Sequence, residues 1–295
     1  MRRLTRRRAS APEVARPLIA ALLSATGGAG RSTTCHLLAA HFAAVARTVV
    51  LDGAPDLASP WDSWLTRRGT RPLPPDDTPS AQQVYAAAGT VSVGDGSDFA
   101  VIPGIVGPRP TSGSRAHPTV EQTHQLLRTV APRVALVDTT TPLLNALAVS
   151  DTGHADSLGW LAAADVVPVL TVPASAKGVT DALTTVNAME QQGLGTGRLH
   201  VAVVGLPASD VPRRVLAGLA LLESRVVAIA RVPHDPWLRA TSKPCTARVS
   251  SRLHDAIGDL VRQLTMQPTT LQRAEHIHSP HPPPEGERHA VARSR

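Results

Sequence analysis

Aromatic residues make up only 2% of this 295-residue chain, and lysine and cysteine each occur twice, at Lys177 and Lys243 and at Cys35 and Cys245. Two cysteines build neither a disulfide framework nor a thiolate metal site, so a small cross-linked scaffold is excluded and a reducing compartment is expected. No apolar run approaches the roughly 18–20 residues that span a bilayer. The arginine-rich start leads into one short apolar stretch, Leu18–Leu23, which runs directly into glycines. A signal peptide is therefore not expected, and the cytoplasm is the expected location. With so few aromatics the core must come from Ala, Val and Leu, a composition that suits a parallel sheet buried on both faces.

What the chain has instead is glycine placed with purpose. Residues 24–34 read Ser-Ala-Thr-Gly-Gly-Ala-Gly-Arg-Ser-Thr-Thr and follow the apolar run Pro17–Leu23. A strand that breaks into a glycine-rich turn and then opens a helix lets backbone N–H groups converge on an anion, with the helix N-terminus adding partial positive charge. The phosphate-loop pattern ends in Gly-Lys-Ser/Thr, but here the cation is arginine, in Gly30-Arg31-Ser32. A guanidinium can grip a β- or γ-phosphate through its fork, yet it cannot stand unchanged where a lysine's point charge would. Ser32 is either a magnesium ligand or a helix-capping serine. Asp52 and Asp138 each end an apolar run, where a buried carboxylate needs a cation or donors; both are candidates for a magnesium site.

The order and spacing of these features resemble the ParA/MinD family of deviant Walker ATPases. That family carries Lys-Gly-Gly-x-Gly-Lys-Ser/Thr-Thr at the loop, and this chain has Thr26-Gly27-Gly28-Ala29-Gly30-Arg31-Ser32-Thr33. Thr48–Asp52 is similar to the family's second strand, Asp98–Gly104 to its third, and Val134–Thr139 to its Walker B strand. Ala164–Pro173, Val201–Gly205 and Val226–Asp235 are similar to the remaining strands and their loops. The resemblance covers about residues 17–266. It implies a doubly wound, mostly parallel α/β sheet flanked by helices, with ATP and magnesium as cofactors. Gly27, Gly28, Ala29, Gly30, Arg31, Ser32 and Thr33 would hold the phosphates, and Pro233 would line the base pocket. Ser32, Asp52 and Asp138 would form the metal site, with Asp52 also the weak catalytic candidate. Both family lysines are replaced, by Thr26 and Arg31, and the second aspartate of Asp-x-Asp is Ala54. Phosphoryl transfer rests on positioning and electrostatics, so these changes point to weak or altered hydrolysis.

The remaining organisation is read from pattern. Cys35, Leu38, Ala39, Phe42, Ala43 and Ala46 repeat at three and four, one face of a helix after the loop. Helices are expected over about 118–130, 175–192, 208–222 and 250–266. Residues 53–97 are expected to be an irregular insertion on the nucleotide side with a short helix near 81–88. Residues 1–16 and 267–295, rich in Arg and in His and Pro respectively, lack apolar residues to bury and are expected to be disordered. The formal charge of +7 is concentrated at Arg2–Arg8, at Arg67, Arg68 and Arg71, and at Arg213 and Arg214. These clusters suit non-specific DNA contact, or equally a solvated arginine surface. The resemblance further implies a nucleotide-dependent homodimer and a protein cargo, and no amphipathic C-terminal membrane anchor is visible. Three functions follow: an ATP-dependent partitioning or positioning switch, a catalytically inactive scaffold on the same fold, or a basic DNA-binding accessory protein.

Overall fold

Alternation along single strands shows how the chain is layered. In β1 (Leu18–Ser24), Ala20 and Leu22 pack on one side of the sheet while Ala21 and Leu23 pack on the other. In β5 (Val134–Asp138), Val134 and Leu136 share the first side, and Ala135 and Val137 the second. A period of two with both phases buried is what a parallel sheet covered on both faces requires. The structure, a computed structural model, describes residues 14, 16–53, 59–69, 79–94, 96–103, 120–148, 156–241, 244, 246 and 248–266.

Among the described residues eight strands form one sheet: β1, β2 (Thr48–Asp52), β3 (Gly89–Ser92), β4 (Asp98–Pro103), β5, β6 (Val166–Pro173), β7 (His200–Leu206) and β8 (Ala228–Pro233). Their spatial order is β3-β4-β2-β5-β1-β6-β7-β8, and every pairing is parallel except β3 with β4. This is the doubly wound α/β architecture that the sequence suggests, with an antiparallel edge strand added.

Helix α1 (Arg31–Ala43) and helix α10 (Ser251–Thr265) cover one face. The expected α1 residues Cys35, Leu38, Ala39 and Phe42 are buried there, as is the α10 stripe of Leu253, Ile257, Leu260, Val261 and Leu264. The other face is covered by α3 (Ala81–Ala87), α4 (Val120–Val130), α5 (Leu143–Ala148), α6 (Asp156–Ala162), α7 (Ala176–Gln191) and α8 (Arg213–Glu223). The short helices α2 (Trp61–Trp64) and α9 (Pro236–Ala240) lie between strands and longer helices in sequence.

Two sequence expectations shift. Helix α8 begins at Arg213 rather than near 208, because Pro212 sits at its N-cap and a residue before proline is kept out of the helical region. Within 53–97, the described residues form α2, α3 and β3, more regular structure than one helical stretch. Ala54, Arg71, Cys245 and the tail residues 1–13 and 267–295 lie outside the described residues.

Candidate functional site

The C-terminal ends of β1, β2 and β5 lie side by side, because β5 is inserted between β1 and β2. In open α/β sheets this edge, where the chain's winding changes direction, is where ligands bind. Register places Leu22 beside Asp138 and Asp138 beside Asp52, so the two carboxylates stand on neighbouring strands and on the α1 side of the sheet. Both are buried.

The glycine loop closes this edge. Gly28 and Gly30 adopt left-handed backbone angles, with φ of 73° and 76°. Such angles are costly for residues carrying a Cβ. Gly30 is also crowded: a Cβ there would approach Val204 of β7 to 3.2 Å. Gly30 is the N-cap of α1 without a side chain to satisfy the first turn, and its carbonyl accepts from Thr34 N at 2.9 Å and Thr34 Oγ1 at 2.8 Å. Gly27 and Gly28 are exposed at the loop tip, whereas Ala29 is buried and Arg31, Ser32 and Thr33 are half-buried. The first turn of α1 thus opens at the end of β1 with no acidic residue in it, an arrangement suited to an anion.

Arg31 adopts a position that the sequence does not reveal. Its Nε donates to Asp138 Oδ1 at 2.9 Å, and its Nη1 donates to Ser24 Oγ and to the Thr140 carbonyl, both at 3.2 Å. The other Asp138 oxygen accepts from the Trp61 indole Nε1 at 2.8 Å. Trp61 is also tied to the neighbouring carboxylate: Ser59 Oγ donates to Asp52 Oδ2 and accepts from Trp61 N at 3.1 Å. Arg31, Ser59 and Trp61, from two separate segments, therefore close over two buried carboxylates. Cys35, one turn beyond Arg31, senses the same cluster: burial pushes its thiol well up, Asp138 and Asp52 push it further, and Arg31 opposes them. Fully buried and protonated, it packs as a small core residue.

Trp61 and Ser59 are not among the candidates that sequence reasoning supplies. The available signal is a pair of tryptophans three apart, Trp61 and Trp64, in a chain almost without aromatics. They pack with His36 and Phe99 into one aromatic cluster beside the site, with Trp61 stacked on His36 and Trp64 and Phe99 edge-on to it. Pro233 ends β8, three strands from β1, and lies beside Leu206 across a bulge at Gly205, whose φ is 82°. It shares the strand edge with the loop but touches none of the Arg31 cluster through a described hydrogen bond.

A magnesium ion does not fit this arrangement as it stands. Ser32 makes no side-chain hydrogen bond among the described residues and keeps its oxygen for a ligand, but Asp138 is already neutralised by a guanidinium and both of its oxygens hold donors.

No family model and no curated protein sequence matches the chain. Solved structures do. A Cyanothece McdA–ATP complex superposes with a TM-score of 0.55 at 13% identity, covering 85% of this chain and 98% of McdA. The Aquifex aeolicus MinC:MinD cell division complex gives 0.54 at 15% identity, covering 85% of this chain and 96% of the matched one. A ParA family ATPase from Chlorobium tepidum gives 0.52 at 13%, covering 84% and 98%. At these identities the likeness is one of architecture, and it extends over nearly the whole of each neighbour: the chain has the P-loop fold of the ParA/MinD ATPases.

Proposed function

We propose that this chain is a nucleotide-binding switch of the ParA/MinD type, acting in DNA partitioning or in positioning a cellular complex, with weak or altered ATP hydrolysis. The observation that carries this reading is the loop geometry. Gly28 and Gly30 hold left-handed angles at the end of the central strand, and α1 opens from them with its first-turn amides uncapped by any side chain. Uncapped amides at a helix start form a ready seat for a phosphate, and the left-handed glycines let the backbone approach it closely. The neighbouring fold supports ATP as the nucleotide, since McdA shares that fold and is an ATP complex.

The Arg31–Asp138 pair supports weak turnover. The cation that would stabilise charge on a transferring phosphoryl group is here held by a carboxylate, and catalysis of that reaction depends on such positioning. The same pair favours a second reading, in which bound nucleotide acts as a structural element of a non-hydrolysing scaffold. Steady-state phosphate release separates the two: slow turnover supports a resettable switch, and none supports a scaffold.

Titration with a fluorescent ATP analogue tests binding itself. Saturable binding by the full chain is expected, with a loss of at least about tenfold in Gly30→Ala, whose Cβ meets both a left-handed φ and Val204. Equal affinity in the variant would remove the loop from the reading. Exposed Arg67, Arg68, Arg213 and Arg214 extend the proposal to DNA as the anionic partner. Binding through several such contacts should fall on the order of 10³-fold between low and moderate salt; a flat response would end that part. Dimerisation on nucleotide is proposed on the fold alone.

A further inference from the structure

We propose that Arg31 is the resident cation of this site: its guanidinium takes the electrostatic place of a divalent metal on Asp138, so the loop accepts a nucleotide's phosphates without magnesium. Only the last step rests on the nucleotide reading above.

The pair is enclosed, with the Arg31 side chain 18% exposed and that of Asp138 3%. Burial removes the water that would otherwise solvate both charges, so each needs the other. Magnesium demands near-octahedral oxygen ligands at about 2.0–2.1 Å and gives up its waters reluctantly. Whether the ion met Asp138 directly or through a water of its shell, it would share the carboxylate's charge with the like-charged guanidinium, and both carboxylate oxygens already hold donors.

The fork geometry also explains why arginine does what lysine cannot. A guanidinium carries five donors in a fixed plane, whereas an ammonium is a single point of charge. The three described bonds of Arg31 use Nε and Nη1. The two N–H groups of Nη2 make no hydrogen bond among the described residues and are left for an anion. One side chain can therefore hold Asp138 through Nε and meet a phosphate oxygen through the outer N–H of Nη2 at the end of the fork, which is the bridging role a metal and its water shell would fill. The adjoining carboxylate points the same way: Asp52 accepts from Ser59, and Ser59 in turn holds the backbone of Trp61, so the segment 59–61 is tied across both carboxylates.

The test follows the Trp61 indole N–H resonance of the ¹⁵N-labelled full chain, assigned by its absence from Trp61→Phe, while Mn²⁺ is added as the probe. In the wild type the signal should persist unbroadened to about 1 mM Mn²⁺, and in Arg31→Gln it should broaden well below that concentration. Broadening of the wild-type signal at submillimolar Mn²⁺ would overturn the proposal, and so would an unbroadened signal in both proteins. Should Arg31→Gln fail to fold, Arg31→Lys, which keeps a cation but loses the fork, takes its place, and the same two outcomes apply. Nucleotide affinity is then compared in EDTA and in Mg²⁺, with the two expected to agree within about twofold. A loss of about tenfold or more in EDTA would overturn metal-free uptake. Binding in neither buffer would overturn the nucleotide step, while the manganese spectrum still decides the cation assignment.

Discussion

A carboxylate at the end of a buried strand must be matched by donors or a cation, and Asp138 obtains both from side chains distant in sequence. Arg31 lies 107 positions before it and Trp61 lies 77 before it. The site is only partly legible in sequence for that reason. The glycines, Arg31, Asp52 and Asp138 announce themselves through local pattern: a loop after an apolar run, and acids closing apolar runs. Their mutual contacts depend on β5 entering between β1 and β2, which no local pattern specifies. Trp61 is less legible still, because its role comes from a single indole N–H and its surroundings in sequence are Pro-rich and aperiodic. Among the described residues, a different one carries the clearest response to acid. His200 opens β7 buried, with both ring nitrogens lacking a partner among the described residues, and burial lowers its pKa from 6.5 to about 4. As pH falls below 6.5 the unfolded chain takes up this proton and the folded chain does not. Stability from the neutral ring is thus complete above that pH and is lost as pH falls towards 4. The loss should reach about 3 kcal/mol. Urea unfolding of His200→Leu against the wild type over about pH 4–7 checks this: the difference between the two curves should change with pH by about that amount, and a constant difference would contradict it.

At the scale of elements, length and periodicity decide what can be read. The long helices α4, α7 and α10 fall within a few residues of their expected spans, since each repeats its apolar positions at three and four over eleven residues or more. The elements that the sequence does not reveal are short: α2, α5, α6, α9 and β3 have seven residues or fewer. Such segments are fixed by caps and tertiary contacts rather than by period. Helix α9 shows how. Asp235 Oδ1 accepts from Trp237 N at 3.0 Å and Leu238 N at 3.3 Å, while Oδ2 accepts from Ser250 N at 2.8 Å. One buried carboxylate therefore caps α9 and ties down Ser250, which itself caps α10. Burial pushes the Asp235 pKa up, but hydrogen bonds from Ser250, Leu238 and Trp237 outweigh it and hold the carboxyl below its usual value. Asp235→Ala should cost about 2 kcal/mol, at the upper end for a lost cap because three donors are orphaned. Thermal or urea unfolding measures it, and a loss below about 0.5 kcal/mol would show that the tie contributes little.

The whole molecule joins these levels at one edge of the sheet. Two covered faces hold eight strands in a fixed order, the order brings the ends of β1, β2 and β5 together, and the glycine loop and α1 close over them. No helix among the described residues is long and apolar enough to cross a membrane. The overall architecture is the most legible level, because apolar runs alternating with helical patterns specify a parallel α/β sheet. What that architecture binds is the central claim, and amide hydrogen exchange with and without ATP tests it at the site itself. Saturating ATP should slow exchange in a peptide spanning residues 25–34, where the loop and first-turn amides would meet phosphate, and leave the antiparallel edge at β3 unchanged. Unaltered exchange over 25–34 at millimolar ATP, on the order of the weakest affinity worth calling binding, would contradict the account.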